Sequence, residues 1–296
     1  MSPAVLKISS YPNCIKYHEL DVTKGCNVGC IYCGLAFSKN EIERVNVDIE
    51  ELIRQTPDVK GIYLSPNSDA FSKICVDTTH EILASLLPKG IKFLLITKNV
   101  IPEKTIQLLK KYPEQITVKV SLSRINQELN HYTEPGSATV TERLQTMKAL
   151  VDDGIKKVYA ILMPLYPGVD DDKEKIIALM DEIRNTGVKF IQTAFVVIRN
   201  GTKPKDVEIL DKMLQHPELK KSWELMTETL KIQIGEGQIY PFEKRLAFYR
   251  MLSKICADRE MEFSACTVLD SALYHVTDDD FHICKTLQIL PDQIEK

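Results

Sequence analysis

Six short β-branched or apolar runs recur along the chain, each parted from the next by a helical pattern. They are Lys16–Thr23, Gly61–Ser65, Ile91–Thr97, Ile116–Leu122, Val158–Pro164 and Phe190–Val197. Each has the length and side-chain content of a strand buried on both faces of a parallel sheet. Between them, Pro102 suits a first helical turn, with Ile106, Leu109 and Tyr112 following at helical spacing. Thr139 and Glu142 form a capping-box pair ahead of an apolar stripe of Val140, Leu144, Met147 and Val151, which Gly154 is placed to end. Asp170–Asp172 read as the acidic start of a further helix, with Ile176, Met180 and Ile183 on one face. Strand and helix in this alternation specify a parallel α/β architecture, either an open doubly wound sheet or a partial β/α barrel.

After about residue 203 the pattern turns mostly helical. Pro204–Leu214, Pro217–Ile234 and Pro241–Asp258 each open on a proline, and Glu262–Cys266 reads as one more strand. No composition break marks a linker. The expected organisation is therefore 1–203 as the sheet-bearing part and 204–296 as a helical C-terminal extension packed on the same domain.

Bulk composition excludes more than it selects. With 296 residues, 44% hydrophobic and 27% charged, the chain can bury a full core and is not disordered. A formal net charge of −3 gives no long-range pull toward polyanions or anionic membranes. No apolar run approaches a bilayer span, and the first ten residues lack the basic and apolar regions of a signal peptide. The expectation is a soluble cytoplasmic protein with no membrane partner.

The eight cysteines are more selective. Cys26, Cys30 and Cys33 fall in Asp21-Val-Thr-Lys-Gly-Cys-Asn-Val-Gly-Cys-Ile-Tyr-Cys-Gly34, spaced C-x3-C-x2-C. In a large, non-secreted chain this reads as thiolates for a metal rather than as a disulfide framework. Three thiolates suit a [4Fe-4S] cube in which one iron keeps no protein ligand. The alternative is a structural zinc site in a non-catalytic protein, with Cys14 or His18 as the fourth ligand, although no second C-x2-C knuckle is present. Cys256, Cys266 and Cys284 are loosely spaced; they are either an auxiliary cluster or separate thiols, and Cys256, in a helix stripe with Leu252, reads as buried.

C-x3-C-x2-C at the end of a first strand, with the aromatic Tyr32 just before the last cysteine, resembles the signature of the radical S-adenosylmethionine (SAM) superfamily. Three further stretches are similar to its spore photoproduct lyase-like branch. These are Tyr63–Asp69 after the second strand, Leu94–Asn99 closing the third, and Glu134–Leu144 leading on to Ile161–Gly168. The likeness runs from about Tyr17 to Val197. It implies a partial (β/α)6 barrel of the radical SAM type and an enzyme of lyase or oxidoreductase type. Its [4Fe-4S] cluster would cleave SAM reductively to a 5′-deoxyadenosyl radical that takes a hydrogen atom from the substrate.

The resemblance also implies site residues. Cys26, Cys30 and Cys33 would hold the cluster, and Tyr32, Ser68, Lys98, Ser121 or Ser123, and Tyr166 would line the cofactor. A lysine ammonium can pair the methionyl carboxylate, and hydroxyls at strand ends can reach the ribose. No catalytic hydrogen donor is assigned. Where the likeness implies a donor cysteine, two residues before Ser68, this chain has Pro66. That departure and the slight acidity favour a small metabolite, natural product or peptide substrate over a nucleic-acid lesion, with electrons from a donor such as a flavodoxin or ferredoxin.

Overall fold

The structure is a computed structural model that describes residues 6–8, 18–33, 42–199, 204–228, 233–234, 237–265, 270, 273 and 281–283. Cys14, Cys266, Cys284 and the Asp278–Asp280 run lie outside the described residues.

An edge strand β1 (Lys7–Ile8) is followed by β2 (His18–Leu20) and by a small antiparallel ribbon of β3 (Thr23–Lys24) with β4 (Glu43–Arg44). Strand and helix then alternate: α1 (Ile49–Arg54), β5 (Gly61–Leu64), α2 (Val76–Leu86), β6 (Lys92–Thr97), α3 (Glu103–Leu109) and β7 (Ile116–Ser121). Two helices, α4 (Gln127–Thr133) and α5 (Val140–Asp152), precede β8 (Lys157–Leu165), and α6 (Lys173–Asn185) precedes β9 (Phe190–Phe195). Beyond these come β10 (Val197–Arg199), α7 (Pro204–Gln215), α8 (Pro217–Glu228), β11 (Gln233–Ile234), β12 (Gly237–Ile239), α9 (Phe242–Ala257), β13 (Glu262–Ala265) and β14 (His282–Ile283).

Nine of these strands form one sheet in the order β1-β2-β5-β6-β7-β8-β9-β13-β14. Every neighbouring pair is parallel except β1 with β2. No pairing among the described residues joins the two outer strands of this mostly parallel α/β sheet. The six expected strands are all present. The first is shorter than its sequence pattern and breaks at Asp21, whose carboxylate turns aside to accept the main-chain N–H (3.1 Å) and side-chain amide (2.8 Å) of Asn67.

The helix signals act as read, with three differences. Of the expected Pro217–Ile234 helix, Pro217–Glu228 is helical and Gln233–Ile234 is strand β11, paired with β12. Pro204 and Pro217 open α7 and α8, and Pro102 and Pro241 stand one step earlier, as N-caps of α3 and α9. Thr139 and Glu142 complete the capping box, and Gly154 follows the end of α5 at φ +83°. The buried face of α5 is Val140, Arg143, Met147 and Leu150, with Leu144 and Val151 only partly buried. Arg143 draws the face round because its guanidinium has buried partners, described below. The acidic run before α6 also splits. Asp172 caps the helix, whereas Asp170 turns inward to an arginine.

Side chains alternate across the strands and so divide the sheet into two faces. Leu20, Ile62, Leu64, Phe93, Leu95, Val118, Val120, Ala160, Ile191 and Phe263 face the helices and join the main core. The opposite face carries Glu19, Tyr63, Leu94, Thr117, Lys119, Ser121, Tyr159, Ile161, Phe190, Gln192 and Ser264. In register, Ser121, Ile161, Gln192 and Ser264 make one row near the C-terminal strand ends. Lys98 extends that row, since it follows Thr97, the partner of Val120. Lys119 sits in the row beneath and donates to Gln192 Oε1 at 2.8 Å.

A second apolar cluster roofs this end. Ile31 of the cysteine loop packs with Leu129, Tyr166, Val169 and Val196, and with Ile209, Met213, Leu219 and Met226 of α7 and α8. Trp223 packs against the same cluster.

Candidate active site at the cysteine loop

Cys26, Cys30 and Cys33 are free thiols on the loop that leaves β3, with Cys30 buried and the other two half-buried. The loop bends through Gly25 and Gly29 at φ +75° and +67°, a left-handed region that glycine enters without strain. A single segment after α4 holds it. Ile31 N–H donates to Thr133 O at 2.9 Å, and Gly136 N–H donates to Val28 O at 2.8 Å. A Cβ at Gly136 would lie 2.3 Å from Asn27 O and 2.9 Å from Val28 Cα, so only glycine permits this approach.

Between those two main-chain bonds stands Glu134, 2% exposed. It accepts a short hydrogen bond from the Tyr32 hydroxyl and pairs with Arg143 Nη1 at 2.7 Å. Arg143, 1% exposed, also donates to Ala138 O at 2.8 Å, to Ser121 O at 2.9 Å and to Ser137 Oγ. Burial alone would raise the Glu134 carboxyl, but the Lys98 and Arg143 cations and the Tyr32 hydroxyl outweigh it and hold the group below the usual carboxylate range. The same pairing works in reverse on Lys98. Burial pulls its ammonium down, while Glu134 and Cys30 hold it above its ordinary value.

Lys98 Nζ lies 3.4 Å from Ser121 Oγ and 5.9 Å from the Tyr32 ring centroid. Its main chain is fixed separately. Asp69 accepts from Lys98 N–H (2.7 Å), Thr97 Oγ1 (2.7 Å) and Phe71 N–H (2.9 Å), joining the loop after β5 to the end of β6. Tyr166 meets Tyr32 edge-on with ring centroids 6.4 Å apart. Arg124 stacks 5.3 Å from the Tyr166 ring and forms a two-pronged pair with Asp170 at 2.8 and 2.7 Å.

The structure therefore brings Cys26, Cys30, Cys33, Tyr32, Lys98, Ser121 and Tyr166 to one end of the sheet. Ser68 lies next to Asp69 on the adjoining loop. Ser123 stands apart, lining a cavity of about 420 Å³ with Arg124, Asn126, Leu129 and Ile176. The sequence reading missed Asp69, Arg124, Glu134 and Arg143 as members of the site. Glu134 and Arg143 fall within the quoted Glu134–Leu144 stretch, the one signal that pointed at them.

These residues fit an iron–sulfur cluster and an organic cofactor. The Oγ atoms of Ser65 and Ser68 and the hydroxyl of Tyr166 are buried without a hydrogen-bond partner, a cost that a bound polar ligand would remove. Ser65 adds φ +57° at the end of β5, a strained conformation of the kind concentrated at ligand sites. Burial pushes the Cys30 thiol up to about 12, and a coordinated cation reverses that by taking the thiolate directly. Among the described residues no three cysteine, histidine or carboxylate side chains share one ion position, as a tetrahedral zinc site requires. Cys256 is buried in α9, its Sγ 3.9 Å from Met180 Sδ, and Cys75 caps α2; both lie in the main core.

Comparison with known proteins agrees with the geometry. The chain is 29% identical to the uncharacterized protein ORF301 of Acidianus two-tailed virus over 148 residues, covering 48% of this chain and 49% of that protein. It is 28% identical to the uncharacterized protein MJ0683 of Methanocaldococcus jannaschii over 158 residues, covering 50% and 60%. The chain thus spans about half the length of the curated relatives it matches. Among solved structures, spore photoproduct lyase complexed with dinucleoside spore photoproduct superposes with a TM-score of 0.65 at 14% identity, over 88% of this chain and 79% of the other. SuiB of Streptococcus suis bound to S-adenosylmethionine gives 0.55 at 16% identity, over 88% and 53%. The same enzyme bound to its precursor peptide SuiA gives 0.55 at 15% identity, over 93% and 55%. At such identities these likenesses show the fold. The sequence model of the radical SAM superfamily matches residues 20–180, from β2 through the first half of α6, and the chain belongs to that superfamily.

Proposed function

We propose that this enzyme holds a [4Fe-4S] cluster on Cys26, Cys30 and Cys33, binds S-adenosylmethionine beside it, and acts on a small metabolite, natural product or peptide. The carrying observation is the Lys98–Ser121 pair at the strand ends beside the cysteine loop, together with the unpartnered buried hydroxyls of Ser65, Ser68 and Tyr166. When bound, the cluster and SAM together supply an electron and a 5′-deoxyadenosyl radical able to abstract hydrogen from carbon.

The chain's own residues do the positioning. Lys98, kept charged by Glu134, pairs the methionyl carboxylate. Ser121 and Ser68 offer hydroxyls to the cofactor, and the rings of Tyr32 and Tyr166 wall it on the loop side. The α7 and α8 roof excludes water that would quench a radical. Gln192 and Ser264 continue the Lys98–Ser121 row across the sheet and face the substrate. In this reading 1–203 carries the cofactor and 204–296 covers it. An electron donor such as a flavodoxin or ferredoxin completes the system.

A small polar substrate fits a short row of Lys98, Ser121, Gln192 and Ser264 interrupted by Ile161. A nucleic-acid lesion is the second reading, because one structural neighbour is complexed with a dinucleoside photoproduct. The test uses anaerobically reconstituted protein with dithionite and SAM, following 5′-deoxyadenosine and iron together. About four irons per chain with cofactor cleavage supports the reading. Zinc without iron and no 5′-deoxyadenosine overturns it. Salt-dependent binding to duplex DNA would move the substrate to the nucleic-acid class.

A further inference from the structure

We propose that Glu134 is a positioning residue: with Tyr32 and Arg143 it braces the cysteine loop into its working shape before any cluster is loaded. The proposal depends on the radical SAM reading only for what the loop is shaped to hold.

A loop with three thiols and two left-handed glycines has little to order it from within. What orders it comes from one segment a hundred residues on. Two main-chain bonds, Ile31 to Thr133 and Gly136 to Val28, flank the Tyr32–Glu134 side-chain bond, so the contact is a three-point attachment. The attachment is anchored behind by the buried Glu134–Arg143 pair at 2.7 Å, and Arg143 is itself fixed on Ala138 O and Ser121 O. Thr133 is anchored too, its hydroxyl taking a bond from Arg124 Nη1 at 3.0 Å. Arg143 therefore ties Glu134 to the end of β7, and through Glu134 the brace links Tyr32 to the strand end that carries Ser121. A carboxylate buried to 2% exposure at this place serves the loop: one oxygen takes the Tyr32 hydroxyl, and the other faces Arg143 Nη1 at 2.7 Å as an ion pair without a hydrogen bond of its own.

The experiment is site-resolved alkylation of the full-length, metal-free chain by iodoacetamide, read by mass spectrometry at each cysteine. Cys26 and Cys33 report the loop, and the core cysteines Cys75 and Cys256 report the fold as a whole. Glu134→Ala leaves Arg143 buried and unpaired and can unfold the chain, so the informative variants are Tyr32→Phe, Glu134→Gln and Gly136→Ala. Tyr32→Phe is expected to speed alkylation of Cys26 and Cys33 about tenfold, the opening that one hydrogen bond to a charged group holds closed. Glu134→Gln, which keeps an acceptor but loses the charge, gives a smaller rise of about threefold. Gly136→Ala, whose Cβ meets backbone at 2.3 Å, gives at least the Tyr32→Phe effect. In all three, Cys75 and Cys256 react at the wild-type rate. Unchanged Cys26 and Cys33 rates overturn the proposal, and so does a parallel rise at all four cysteines, which marks general loosening. Iron uptake by the wild-type chain is measured separately. If it fails, the cluster reading falls while the alkylation result still decides the brace.

Discussion

Replacing Lys98 by Met tests recognition of the cofactor. The end of β6 does not depend on the Lys98 side chain, because Asp69 grips the main-chain N–H of Lys98 and the Thr97 hydroxyl, each at 2.7 Å. The ammonium itself reaches Ser121 Oγ at 3.4 Å, a long contact that contributes little to folding. Lys98→Met also removes one of the cations that hold buried Glu134 ionised, so the unfolding midpoint should fall, and binding is compared well below it. A charge-assisted bond between ammonium and carboxylate contributes about 1.5–3 kcal/mol, which is about 10- to 150-fold in Kd. The measurement is anaerobic calorimetric titration of the reconstituted protein with two probes. S-adenosylhomocysteine carries the amino-acid carboxylate and should weaken by that factor. Methylthioadenosine keeps the nucleoside and thioether, lacks the carboxylate, and should bind both proteins alike. A loss below about threefold for S-adenosylhomocysteine, or an equal loss for both probes, would refute the assignment of Lys98 to the carboxylate.

Asp170→Ala strands Arg124, only 7% exposed, beside Tyr166 and should cost about 3–5 kcal/mol in urea denaturation; a cost under about 1 kcal/mol would mean that water reaches the guanidinium. The double change Arg124→Met with Asp170→Leu should recover most of that loss. Thr139→Ala removes the capping box of α5 and should lower stability by about 1 kcal/mol. The Thr139 N–H and hydroxyl both hold the Glu142 carboxyl below its ordinary value, and Thr139→Ala removes only the hydroxyl. The hydroxyl's share is complete above about pH 4.3 and fades as pH falls through the lowered value, so the difference between wild type and Thr139→Ala should shrink somewhat in acid. Cys26→Ala, Cys30→Ala and Cys33→Ala should each reduce iron after reconstitution to near background, whereas Cys256→Ala should leave it unchanged; iron retained in any of the first three would move the cluster elsewhere.

Local signals survived folding where the chemistry is local. The strand runs, the prolines that open α7 and α8, and the Thr139–Glu142 box are each decided within a few residues, and each appears in the structure where its pattern put it, save the first strand, cut short at Asp21. The three cysteines were visible because their spacing is itself the motif. The charged residues around them were not. An arginine or glutamate reads as surface until its partner is known, and here the partners are remote: Arg124 finds Asp170 46 residues away, and Tyr32 finds Glu134 102 residues away. The same blindness shifted the stripe on α5, where the pattern followed Leu144 and Val151 and the fold buried Arg143. Ser121 and Ser123 were equivalent as sequence. What tells them apart is that β7 ends at Ser121, which faces Lys98, while Ser123 lies past the strand end beside a separate cavity.

The Asp69 carboxylate makes the loop after β5 and the end of β6 a single rigid fitting. On the proposed reading Ser68 and Lys98 are the two jaws of a caliper, set to one opening by the chain rather than by what enters it. Such a caliper gauges its ligand. An analogue with one methylene more or less between nucleoside and amino acid would satisfy one jaw and reach the other only by moving the Lys98 ammonium off Ser121 Oγ. Selectivity for the length of the cofactor is then a property of one carboxylate that never touches it.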